Sequence, residues 1–168
     1  IVAFLILPAV LAGAALYYLQ IFSSYEEVIP NGTTDVAIVE KKTELPEVID
    51  YSNFHAITSE SSPIRYRACF ETSEDLNDLR NRFLVYEGAE PKIAPYWFEC
   101  FNAEDLGFSL ADGAKGEVFL SKKNIMYGVD RVVAILDNGK GYIWHEINDC
   151  GDKLYDGSPV SNECPKRD

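Results

Sequence analysis

The residues in this chain that can do chemistry are few and scattered. Two histidines, His55 and His145, lie far apart; four cysteines, Cys69, Cys100, Cys150 and Cys164, are widely spaced; Arg65 and Arg67 flank Tyr66. The cysteines form neither Cys-x-x-Cys nor Cys-x-x-Cys-His, so zinc-ribbon and c-type haem readings fail at the motif, and neither metal nor cofactor is expected. His145-Glu146-Ile147-Asn148-Asp149 begins like a zinc-protease helix. It lacks the second histidine and falls in a strand pattern, where i and i+4 do not share the required geometry. With no Gly-x-Ser-x-Gly elbow, phosphate loop or dinucleotide fingerprint, the sequence points away from an enzyme.

On an extended strand Arg65 and Arg67 share one face, and two adjacent guanidinium groups can clamp a carboxylate or a phosphate. Pairing with some of the chain's 27 acids is the plainer fate. Asp149, Asp152 and Asp156, beside Gly151 and Gly157, make an acidic loop whose spacing departs from the EF-hand pattern, so a solvated loop is expected rather than a calcium site. The formal charge of −12 sets the chain against nucleic acid and suits it to a basic soluble partner, with plain solubility as the simpler use.

Four cysteines outside the cytoplasm are read as two disulfides, for which three pairings exist. Cys150 and Cys164 bracket a turn-rich stretch, and closing a loop of that size is worth about 3 kcal/mol in the chain-entropy model. Pairing those two leaves Cys69 with Cys100. A short echo supports the choice: Cys69-Phe70-Glu71-Thr72-Ser73-Glu74-Asp75-Leu76 returns, one residue shorter, as Cys100-Phe101-Asn102-Ala103-Glu104-Asp105-Leu106. Each copy reads as a strand followed by a capped helix, with Thr72 or Ser73 as the first cap and Asn102 as the second. Chance similarity over so short a stretch is the alternative.

These elements position the candidate groups. Leu76, Leu79 and Phe83 mark one helical face, and Asn102 to Ala111 forms a second short helix ended by Gly113. Strands are expected at Ile64 to Phe70, at the aromatic-rich Ala94 to Phe101 and, briefly, at Glu117 to Leu120. Two more, Arg131 to Leu136 and Gly141 to Ile147, flank Asp137-Asn138-Gly139-Lys140, a hairpin signal. The fold class is therefore α+β, one domain with a mainly antiparallel sheet and two short helices, preceded by an N-terminal transmembrane helix.

That helix is expected because residues 1–22 contain no charged side chain and would span roughly 33 Å. A cleaved secretory signal is the competing reading, since Ala12-Gly13-Ala14 has a small-x-small pattern. Acids precede the first downstream cation, Lys41, so the C-terminal bulk is expected in the periplasm and the N-terminus, with a few residues before Ile1, in the cytoplasm. Ala9 and Gly13 form a small-xxx-small pair for helix packing, and Pro8 introduces a kink. The organisation is then 1–22 membrane helix, 23–34 juxtamembrane linker and 35–168 periplasmic domain.

The apolar helix ending in Tyr17-Tyr18-Leu19-Gln20, the segment Ser61-Ser62-Pro63-Ile64-Arg65-Tyr66-Arg67-Ala68-Cys69-Phe70 and the ending Gly141-Tyr142-Ile143-Trp144-His145-Glu146-Ile147-Asn148-Asp149-Cys150-Gly151 carry a resemblance. The chain resembles an uncharacterised family of single-pass membrane proteins of alphaproteobacteria. The resemblance implies a periplasmic location and one domain, and supplies no catalytic residue. Two functions are then in competition. One is a non-catalytic accessory subunit or assembly factor of a larger inner-membrane complex, respiratory and photosynthetic electron-transfer complexes included, with integral membrane proteins as partners. The other is a stand-alone anchored binding module or enzyme using Arg65 and Arg67.

Overall fold

A computed structural model describes residues 2–161 and 164–166 and assembles them around a six-stranded antiparallel sheet. In spatial order its strands are β1 (Glu26–Glu27), β4 (Ser52–Thr58), β5 (Arg67–Glu71), β8 (Lys140–Ile147), β7 (Val129–Leu136) and β6 (Gly116–Met126). A separate hairpin pairs β2 (Ala37–Val39) with β3 (Pro46–Val48). The helices are α1 (Val2–Ile21), α2 (Leu76–Arg82) and α3 (Ala103–Ala111). Of the boundaries expected from sequence, position 1 and positions 162–163 and 167–168 lie outside the described residues.

The α+β class holds, and its cause is visible in β7. Val129 to Leu136 is almost continuously apolar, the pattern of a strand buried on both faces rather than one. Val133 and Ile135 join Leu76, Leu79 and Phe83 of the α2 side in one core; Val132, Ala134 and Leu136 join Phe101, Leu106 and Trp144 in a second core on the opposite face. The sheet is thus sandwiched, with α2 and the β2–β3 hairpin on one side and α3 with the irregular segment before it on the other. The hairpin at Asp137-Asn138-Gly139-Lys140 forms as expected, with Gly139 at φ 80°, where a side chain would be strained.

Both disulfides form: Cys69–Cys100 with Cα atoms 6.2 Å apart and Cys150–Cys164 with Cα atoms 5.5 Å apart. The echo between the two Cys-Phe segments does not extend to equivalent strands. Cys69 sits within β5, whereas Cys100 ends a run of turns. The aromatic strand expected over Ala94 to Phe101 is absent. Pro95 lacks the N–H that a ladder needs, and its carbonyl instead accepts from Phe98 N in a turn. Likewise the strand expected from Ile64 starts only at Arg67, because Pro63–Arg65 form a 3-10 turn. The strand expected at Glu117 to Leu120 is longer, running from Gly116 to Met126. Asn102 caps α3 as expected, but the cap of α2 is Asp75, whose carboxylate accepts from Asn77 N and Asp78 N, rather than Thr72 or Ser73.

The N-terminal membrane span is not supported. Among the described residues no helix is long and apolar enough to cross a membrane. The physical reason lies in the last turns of α1, which are committed to the domain: Phe22 stacks on Trp97, and the Ile21 carbonyl accepts from Trp97 Nε1 at 3.0 Å. Nor is 23–34 only a linker, since β1 within it pairs with β4.

Gly141 gives a direct test of the packing. A Cβ placed there would lie 2.1 Å from Cζ of the buried Phe70 ring, so Gly141→Ala overpacks the core between β5 and β8. We expect a loss of about 2 kcal/mol in chemical denaturation; an unchanged midpoint would show that Phe70 moves aside freely.

Candidate functional site

Of the groups singled out by sequence, Arg67, Cys69, Cys100 and His145 gather around β5, β8 and the irregular segment 87–101 that crosses them. Arg67 and Trp144 are cross-strand partners, and Arg131 on β7 is opposite His145. Arg67 is buried with only 4% of its surface exposed, and among the described residues no acid lies at ion-pair distance from its guanidinium. It donates instead to four backbone carbonyls: Ile64 and Tyr66 from Nη1, both at 2.7 Å, Ile93 from Nη2 at 3.0 Å and Lys92 from Nε at 3.0 Å. Burial pulls its pKa down to about 10, with Tyr25 and Glu146 opposing the fall, so the group stays charged near neutral pH.

Glu146 complements it from β8. Its Oε2 accepts from Trp144 Nε1 at 2.9 Å and from Glu90 N at 3.1 Å, while Oε1 pairs with Lys92 Nζ at 2.6 Å. Two buried charges on neighbouring strands therefore hold one segment, Arg67 by its carbonyls and Glu146 by an amide and an ammonium. Cys69–Cys100 ties the far end of the same segment to β5. Held in this way, the segment presents Trp97 to α1, where Phe22 stacks on the indole and Tyr25 meets it edge-on.

Arg65 does not join Arg67. Its guanidinium lies over the Tyr25 ring at 5.6 Å, on the junction with α1, and the two arginines form no common anion clamp. The reading of both on one strand face fails because Arg65 belongs to the 3-10 turn. Ala9 and Gly13 lie on α1, and a Cβ at Gly13 would meet nothing within 4 Å. Among the described residues nothing packs there.

His145 is buried in a stack. Its ring lies 4.9 Å from that of Tyr66 at 12°, and the Arg131 guanidinium also lies over the Tyr66 ring, at 4.3 Å. Arg131 Nε donates to His145 Nε2 at 3.0 Å, which leaves Nδ1 to carry the ring proton and donate to the Pro63 carbonyl at 2.5 Å. Both nitrogens are thereby assigned, and the imidazole is neutral. Burial lowers its pKa to about 4; the Pro63 bond opposes this, and Arg131 and Arg67 add to it. Such a histidine is a structural member rather than a catalytic base.

A polar cleft of about 670 Å³ opens beside this cluster, lined among others by Tyr86, Glu87, Glu90, Asp130 and Asp149. Asp130 accepts from Asn124 N at 2.7 Å, Asn148 Nδ2 at 2.6 Å and Tyr86 OH at 3.3 Å. Burial and this carboxylate push the Tyr86 phenol well up. In the acidic loop, Asp156 accepts from Ser158 N and Oγ and so closes a turn. Among the described residues no group of three or more histidines, cysteines or acids is placed to hold a metal ion. Trp97 and Glu146 were not singled out by sequence. The signal that could have found Trp97 is Pro91-Lys92-Ile93-Ala94-Pro95, which marks the aromatic run after it as turns.

A protein-family model described as a family of unknown function, DUF6446, matches residues 36–165. No curated protein and no solved structure matches the chain. The chain belongs to that family.

The neutral state of His145 has a pH consequence. Its folded pKa lies below the ordinary value of 6.5, so the unfolded chain takes up the proton first. The stabilisation is complete above pH 6.5 and is lost as pH falls towards 4, to a total of about 3 kcal/mol. Urea titrations across that range should show this acid limb and, in His145→Gln, a flatter one. Equal slopes in both proteins would mean that His145 titrates normally.

Proposed function

We propose that this member of the DUF6446 family is a non-catalytic accessory subunit or assembly factor of a larger protein complex, docking through α1. The observation that carries the reading is α1 itself. Phe4, Leu7, Val10, Leu11, Leu16 and Tyr18 are all more than half exposed, and the helix is apolar on every side. A contiguous apolar surface of that kind marks an interaction site. Its base is braced on Trp97, so the domain offers the helix in one direction rather than on a loose tether. The buried charges of Arg67 and Glu146 are committed to holding that brace, which supports a mounting role over chemistry.

The host we favour is a complex of the bacterial inner membrane whose working face lies in the periplasm, electron-transfer complexes included. Integral proteins of such a complex would supply apolar surface to α1. Support for an oxidising compartment comes from two disulfides with no free cysteine among the described residues. The net charge of −12 suits the domain to a basic soluble partner on its open side. The reading with Arg65 and Arg67 as a ligand clamp loses its support from the placement of the two guanidinium groups.

The test is photo-crosslinking in cells from a reactive residue at position 11, followed by isolation in mild detergent. One partner in stoichiometric yield is expected, with recovery falling about tenfold or more in Leu11→Asp and unchanged in Lys153→Ala. A lone monomer with no crosslinked partner contradicts the proposal.

A further inference from the structure

The Cys69–Cys100 disulfide differs from an interior staple in where its two halves lie. Cys69 is within β5 and buried at 7% exposure, whereas Cys100 is exposed at the end of the 87–101 segment. Cys100 lines two shallow grooves. One, of about 320 Å³, also contains Cys69, His55, Glu71, Lys140 and Tyr142; the other contains His55, Glu27, Trp97 and Phe98. His55 is the residue common to both grooves besides Cys100. It is also the direct cross-strand partner of Cys69, a placement that brings the two side chains onto one face about 5 Å apart at Cβ. The sulfur bridge is thus open to a reagent on the Cys100 side and has an imidazole beside the Cys69 side.

We propose that Cys69–Cys100 is a thiol-exchangeable disulfide whose reaction partner is a dithiol and whose departing sulfur, Cys69, is served by His55. A thiolate of the dithiol attacks Cys100 Sγ, forming a mixed disulfide and breaking the Cys69–Cys100 bond. Cys69 leaves as a thiolate and takes a proton from the His55 imidazolium, which is restored from solvent. The second thiol of the reagent, deprotonated, then attacks its own sulfur in the mixed disulfide, closing the reagent's disulfide and releasing Cys100 as a thiol. Two electrons and two protons pass from the dithiol to the protein, and the reverse sequence reduces an incoming disulfide and closes Cys69–Cys100 again. Attack at Cys100 is favoured by access, and departure of Cys69 by protonation. Neither step depends on the docking role of α1.

Cys150–Cys164 provides an internal comparison, because the polar cleft that Cys150 lines has no histidine among its described residues. The intact folded protein is treated with dithiothreitol in the absence of denaturant, quenched in acid, alkylated and mapped by peptide mass spectrometry. Cys69 and Cys100 are expected to be labelled about tenfold or more faster than Cys150 and Cys164. In His55→Asn their rate is expected to fall several-fold near neutral pH while that of Cys150 and Cys164 is unchanged. His55→Gln, longer by one methylene, gives a second reading should the first variant fold poorly. Equal rates for the two disulfides, the reverse order, or an unaltered rate in the folded His55 variants overturns the proposal.

Discussion

Everything that distinguishes this domain from a plain sheet sandwich depends on one buried cation, Arg67. A guanidinium taken out of water without a counter-ion is costly unless its donors are met, and here carbonyl groups meet four of its five N–H bonds. The bonds cannot be rearranged among side chains, because backbone carbonyls are fixed by the chain path. Two belong to the turn that leads into β5 and two to the segment crossing above it. One side chain therefore sets the separation between strand and segment. Glu146 on the neighbouring strand holds the same segment by complementary groups, so the pair acts through a shared object rather than by direct contact.

From that segment the arrangement passes outward to α1. Cys69–Cys100 closes its end, Phe101 buries beside Trp144, and Trp97 is left facing the first helix. Aromatic stacking and a single hydrogen bond to the Ile21 carbonyl fix the helix base. A long apolar helix projected by a rigid base is a docking element, and the polar interior behind it is a mounting. His145 and Arg131 belong to the same mounting, since their mutual bond requires the histidine to be neutral.

Much of this was legible in the sequence, for identifiable reasons. The apolar run of β7, the Asn138-Gly139 turn and the Asn102 cap are local signals, and each formed where expected. Cysteine spacing yielded both disulfides because a turn-rich loop between Cys150 and Cys164 has little else to close it. Where reading failed, tertiary context intervened. Arg65 and Arg67 alternate as on a solvent-facing strand, yet Arg67 turns inward because unpaired carbonyls of a Pro-rich segment await it. The aromatics of 94–101 suggest a strand, but proline removes the ladder. The apolar first helix was read as a span from its composition alone; nothing local reveals that its end would be fastened to a tryptophan seventy-six positions away. The role of Glu146 was not legible, because a buried acid shows its use only through the amide and ammonium it meets.

The measurement closest to the central claim is hydrogen exchange by mass spectrometry on Arg67→Lys beside the unaltered protein. A lysine keeps the charge but cannot reach four divergent carbonyls at once. Exchange is predicted to rise through 87–101 and the last turn of α1 while β6, β7 and the core of β8 keep their protection. Unchanged protection in 87–101 would contradict the account, because the segment and the helix it braces would then be held without Arg67.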